Sequence, residues 1–235
     1  MNLRENLKKL GQGFLDLVFP ISCLVCGKDG SYLCTNCKAN LKRLEEQQCL
    51  VCQKAAPFGK THPDCVSRNS VDGIISALDY KDRRVKKIIE TLKYNFVSAL
   101  AAPLSDLILE QIRKQNLGDY FADFILVPVP LHRKRFNWRG FNQASLLAEK
   151  LKEKLGCELA DTVTRIKNTK PQIKLTQEER RNNIANAFST GENLQGKKFL
   201  IVDDVVTTGA TINEIAKLLK QKKAAEVWAL TAARG

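Results

Sequence analysis

The sequence predicts an α/β protein, a mainly parallel sheet flanked by helices, with a small cysteine-rich module ahead of it. Three observations predict this. Paired cysteines crowd into the stretch from Cys23 to Cys65. Beyond them, short apolar runs alternate with segments of helical periodicity, the pattern of a parallel sheet with crossover helices. One of those apolar runs ends in two acidic residues and a Thr-Thr-Gly turn that opens into a helix.

The chain has 235 residues, 44% of them hydrophobic, enough for one ordinary domain and a small one. Its net charge of +13 favours a polyanionic partner: a nucleic acid, a phosphorylated metabolite or an acidic membrane surface. Leu3, Leu7, Leu10 and Phe14 fall at helical spacing and predict a short amphipathic helix that breaks before Pro20. Asp16 interrupts that segment and no long uncharged run follows, so neither a secretory signal nor membrane insertion is expected. A reducing, cytoplasmic setting follows, in which paired cysteines hold metal more often than they form disulfides.

Between residues 1 and 68 the cysteines fall as Cys23-x-x-Cys26, Cys34-x-x-Cys37 and Cys49-x-x-Cys52, followed by His62-x-x-Cys65. A CxxC puts two thiolates on one tight turn, and a tetrahedral Zn²⁺ takes two such pairs. Gly27 follows the first pair as a knuckle turn requires. Sequential pairing gives one site from Cys23, Cys26, Cys34 and Cys37 and another from Cys49, Cys52, His62 and Cys65; the short gap between the first knuckles also permits interleaving. No general base lies nearby and the sites are closed, which marks the zinc as structural. Cys157 stands alone and reads as a core residue.

From residue 69 to 235 a larger domain is expected. Gly73 to Leu78 reads as a strand, and Val85, Ile88, Ile89 and Leu92 share a helical face. Ser98 to Gln115 reads as a helix, and Phe124 to Val127 as a buried strand ending at Pro128. A helix from Gln143 to Leu155, a strand from Leu159 to Thr164, a strand from Phe199 to Val202, a helix from Thr211 to Lys222 and a strand from Val227 to Leu230 complete the series.

The sharpest motif is Phe199 to Thr211. The strand delivers Asp203 and Asp204 to its C-terminal end, outside the core, where open α/β sheets bind ligands. Thr207, Thr208, Gly209, Ala210 and Thr211 then offer hydroxyls, free N–H groups and a helix dipole to a phosphate. Carboxylates beside a phosphate cradle suit a ligand that also carries hydroxyls or a metal, and a ribose 5-phosphate offers hydroxyls at the right separation. A second loop, Val127 to Arg135, follows a buried strand, and Arg133, Lys134, Arg135 and Arg139 supply charge for a diphosphate. His132 in that loop is a candidate proton donor or a structural residue.

The Asp-Asp-x-x-Thr-Thr-Gly-x-Thr string resembles the motif of type I phosphoribosyltransferases that binds 5-phosphoribosyl-1-pyrophosphate (PRPP) with Mg²⁺. With the Val-Pro-Val-Pro-Leu-His and Arg-Gly-Phe-Asn-Gln runs and the stretch from Gln172 to Phe188, the chain from Cys23 onward resembles the ComF family, which joins a zinc ribbon to a phosphoribosyltransferase domain. His62 departs from the family, where many relatives carry Cys. The resemblance implies the type I phosphoribosyltransferase fold, with Asp203 and Asp204 catalytic. It also implies a flap in which a helix from Thr176 carries Arg180 and Arg181 toward the pyrophosphate. It further implies a link to DNA uptake or use, with other competence or recombination proteins as partners and an acceptor the sequence does not identify. Two other readings stand beside it: a PRPP sensor without turnover, and a single-stranded DNA binder using the basic clusters with Phe136, Trp138 and Phe141 as stacking groups.

Overall fold

Five strands build one parallel sheet: β1 (Gly73–Asp79), β2 (Ile125–Pro128), β3 (Glu158–Leu159), β6 (Lys198–Val206) and β7 (Glu226–Arg234), in the order β1-β7-β6-β2-β3. The computed structural model describes residues 21–67, 70–94, 97–169, 177–191 and 193–235. The expected N-terminal helix, Gln172 and Leu175 lie outside these, as do the side chains of Arg180 and Arg181. Among the described residues no helix is long and apolar enough to cross a membrane.

Backbone contacts divide the chain into two units, one ending at Leu41 and one beginning at Lys42. In the first, Cys23 N donates to Lys28 O (2.8 Å) and Gly27 N to Cys23 O (2.8 Å), which closes the first knuckle with Gly27 at φ +77°. A short helix α1 (Thr35–Ala39) follows, with the Cys34 thiol accepting from Cys37 N at 3.5 Å as its cap.

In the second unit the Cys49 knuckle repeats the same bonds: Cys49 N donates to Lys54 O and Gln53 N to Cys49 O. Gln53 takes the left-handed conformation (φ 61°) that Gly27 takes in the first. The sheet follows. The central strands read as near-continuous apolar runs because both their faces are covered. Phe199 and Ile201 share a core with Ile212, Ile215, Ala216 and Leu219 of helix α7 (Ala210–Gln221), and Leu200 and Val202, which alternate with them, are equally buried. Helices α3 (Ala101–Lys114) and α5 (Gln143–Leu155) pack against each other and against the sheet. Helix α2 (Arg83–Tyr94) buries Val85, Ile88, Ile89 and Leu92, the face expected from their spacing. Cys157 is buried and its thiol donates to Phe121 O at 3.2 Å.

Three expectations need correcting. The strand expected from Leu159 to Thr164 is two short strands. β3 pairs with only Ile125 and Leu126, because Pro128 and Pro130, next on that edge of β2, have no N–H to donate, while Val129 N donates to Val202 O on the other side. β4 (Thr164–Arg165) instead pairs antiparallel with β5 (Phe188–Ser189). The basic loop through Arg135 is in part helix α4 (Arg133–Arg139): His132 Nδ1 accepts from Lys134 N at its start, and Gly140 at φ +77° closes its end. Finally, β6 does not stop at Val202. It pairs with β7 as far as Val206 and Arg234, so both acidic residues lie within the strand. Helix α6 (Gln177–Ile184) is the described part of the helix expected from Thr176, which itself lies outside the described residues.

Candidate functional site

The chain leaves β6 at Val206, turns through Thr207, Thr208 and Gly209, and enters α7 at Ala210. Asp203 and residues 205–212 enclose a small concave site, so every residue of the expected cradle lines it. The N-cap position is Gly209, which has no side chain to cap the helix, and the first turn of α7 lines that concavity. Gly209 sits at φ +74°, where a side chain is strained, and a Cβ there would stand 2.6 Å from Leu50 Cγ. The N-terminus of a helix entered through such a turn suits an anion.

The cradle opens through Asp203, Val205 and Thr211 into a cleft of about 450 Å³. Asp203 Oδ1 accepts from Asp204 N at 2.8 Å. Asp204 is 2% exposed, which corrects the expectation that it lies outside the core, and its Oδ2 is 2.7 Å from Lys93 Nζ at the end of α2. Burial first, then the Asp204 charge, pushes the Asp203 carboxyl well above the usual range, with Lys93 offsetting part of it. Burial pulls the Lys93 ammonium down, but the Asp204 charge outweighs this and leaves it raised. Sequence reasoning missed Lys93. The available signal was its position four residues after Ile89, on the apolar face of α2, where a lysine needs a partner.

Arg135, Arg139 and Arg165 converge on the same cleft. Arg139 is buried, donates to Gln143 Oε1 at 2.5 Å and lies 5.3 Å over the Tyr94 ring. Among the described residues the Nε atoms of Arg139 and Arg165 are buried without hydrogen-bond partners, and none of the three guanidiniums has a carboxylate ion pair. Burial, then repulsion from Arg135, draws the Arg165 guanidinium down to about 10. Arg133 is exposed and does not line the cleft. In a helix residues 135 and 139 share a face that 133 leaves, so of the arginines expected here the structure brings Arg135 and Arg139, and not Arg133, to the cleft. Arg165 was missed outright. Tyr94 and Trp138, 6.2 Å apart between ring centres, form an apolar wall of the cleft. The cleft thus joins a phosphate-type cradle, a carboxylate pair and an unpaired cationic cluster, an arrangement for a ligand with anionic groups at both ends and hydroxyls between.

The cysteines assemble sequentially. Cys23, Cys26, Cys34 and Cys37 form one tetrad, and Cys49, Cys52, His62 and Cys65 the other, with the ligand atoms of each within 4.8 Å of one another. His62 Nδ1 faces Cys52 Sγ at 3.2 Å, while Nε2 donates to Ala55 O at 2.9 Å, a bond that holds the ring and leaves Nδ1 for a metal. Burial alone would raise Cys23 and Cys49, but backbone N–H groups aimed at the sulfurs bring them down to about 6 and about 7. Both donor sets fit tetrahedral zinc.

Comparison with known proteins agrees with both halves. Residues 139–235 match the phosphoribosyl transferase domain family and residues 14–66 the double zinc ribbon domain family. The chain is 39% identical over 162 residues to the DNA utilization protein YhgH of Salmonella typhimurium, covering 67% of this chain and 70% of that protein. It is 34% identical to YhgH of Escherichia coli O157:H7, covering 84% and 96%. The competence protein ComFC of Streptococcus pneumoniae is 27% identical, covering 92% and 94%. Among solved structures, the purine phosphoribosyltransferase of Pyrococcus horikoshii matches with TM-score 0.34 and 18% identity, over 56% of this chain and 83% of that one.

Proposed function

The chain belongs to the ComF family, whose members pair a double zinc ribbon with a type I phosphoribosyltransferase fold, and on that premise we propose that it binds PRPP with Mg²⁺ and transfers the phosphoribosyl group. The observation that carries this reading is the continuity of the cradle, the carboxylates and the arginine cluster through Asp203, Val205 and Thr211. The 5-phosphate sits on the N–H groups and hydroxyls of residues 207–211. Asp203 and Asp204 take the ribose hydroxyls, with Lys93 Nζ paired to Asp204 Oδ2 behind them. Arg135, Arg139 and Arg165 hold the diphosphate, whose departure they stabilise as its charge develops. Mg²⁺ supplies further charge neutralisation to that diphosphate. The family resemblance assigns Arg180 and Arg181 of the flap to the same diphosphate. Zn²⁺ in both tetrads is structural.

A second reading is favoured by helix α4, which exposes Phe136 (46%) and Trp138 (62%) beside Arg133 and Lys134 at the mouth of the cleft. Aromatic rings interleaved with cations suit single-stranded DNA, and the DNA-utilization and competence names of the relatives agree with it. PRPP turnover against a panel of nitrogen bases, measured beside single-stranded DNA binding over a salt series, separates the readings. Transfer identifies the enzyme. Binding of PRPP without release of pyrophosphate identifies a sensor. A DNA affinity that does not fall with salt removes the DNA reading.

A further inference from the structure

The second metal tetrad is joined to the phosphate cradle by direct packing. Leu50 lies inside the Cys49–Cys52 knuckle, is 4% exposed, and belongs to the same core as Val206, Ala210 and Ile212. Its Cγ, Cδ1 and Cδ2 stand 2.6, 2.7 and 2.9 Å from where a Cβ on Gly209 would be, so the leucine fills the space behind the cradle's turn. Arg234, at the end of β7, donates to Gln48 O (2.5 Å) and Cys49 O (3.1 Å). The next residue, Gly235, donates to Val206 O (3.0 Å), where the cradle begins. Knuckle, cradle and chain end therefore hold one another.

We propose that the Cys49–Cys52 knuckle is a positioning wedge for the cradle, so that metal in the second tetrad sets how well residues 207–211 hold a phosphate. A knuckle of this length has no core of its own, and metal fixes its shape. Without metal Leu50 is no longer held against Gly209. The turn that aims the N–H groups of α7 then gains freedom at the place where an anion needs them fixed. The proposal rests on the PRPP reading for its ligand, and its structural half stands apart from that reading.

The test uses the full chain with Leu50→Ala, Leu50→Val and Leu50→Met. Leu50→Ala should keep its zinc by elemental analysis, yet the amides of residues 207–211 should exchange about tenfold faster. Its affinity for ribose 5-phosphate should drop about tenfold while that for Mg-pyrophosphate holds. Leu50→Met restores both, and Leu50→Val lies between, which keeps the series informative if the alanine variant misfolds. Stripping zinc from the wild type should speed the same amides, and zinc addition should slow them again. Wild-type exchange at residues 207–211 in Leu50→Ala or in stripped protein overturns the wedge, as does an equal loss of both ligands. Wild type that binds neither ligand overturns the PRPP reading instead, and the exchange data still decide the wedge.

Discussion

Lys93 Nζ lies 2.7 Å from Asp204 Oδ2, joining the last turn of α2 to the tip of β6, with both side chains largely out of water. Removing one partner leaves the other as an unpaired buried charge. Lys93→Ala should cost about 3 kcal/mol in denaturant unfolding. The double variant Lys93→Ala/Asp204→Asn should recover part of that loss. A Lys93→Ala protein as stable as the wild type would show that the pair carries no such charge coupling.

Asp203 gives the stability a pH dependence of known sign. Its carboxyl is raised in the native state by burial and by Asp204. The folded protein therefore holds a proton that the unfolded chain has released. Stability from this group is full below the ordinary aspartate range and is lost as pH rises toward the raised value. Asp203→Asn should flatten that decline and raise the melting temperature at about pH 7, while weakening ligand binding. Parallel melting curves from about pH 4 to about pH 8 check this, and a variant less stable than wild type at neutral pH contradicts it.

The parts of the site that lie on consecutive residues were legible in the sequence. Asp203 to Thr211 and the CxxC pairs carry their chemistry in local spacing, and the strands beside them in unbroken apolar runs. Lys93, Arg165 and Leu50 reach the site only through tertiary packing, from a helix end, a short edge strand and a metal knuckle. No local pattern marks the last two. Helix α4 was missed because its charged run hides its two signals, the His132 cap and the closing Gly140. The reading of Asp204 as a residue outside the core failed because β7 continues to Arg234 and carries β6 with it to Val206.

Arg139 and Arg133 should separate cleanly. Arg139→Gln removes a buried guanidinium that faces the cleft and should lower Mg-pyrophosphate affinity about tenfold. Arg139→Lys should not restore it, because the lysine loses both the fork and the contact with Tyr94. Arg133→Ala, at an exposed position, should leave pyrophosphate binding unchanged. Titration of the three variants measures this, and equal losses at 133 and 139 would refute the assignment of the helix face.

Metal content follows from the two tetrads. Elemental analysis should find about two zinc ions per chain. His62→Ala should lower that to about one, whereas His62→Cys should retain both. Acid should release the metal as the ligand thiolates protonate. A single zinc in the wild type, unchanged in His62→Ala, would remove the second site.

The central claim is that the continuous cleft from Thr208 to Arg165 is a PRPP site, and titration calorimetry with PRPP and Mg²⁺ tests it most directly. The account predicts a single site of micromolar order, about 8 kcal/mol of binding free energy. It also predicts loss of that site in Asp203→Asn/Asp204→Asn protein that still melts cooperatively. No heat in the wild type up to about millimolar PRPP, or equal affinity in the double variant, would contradict it.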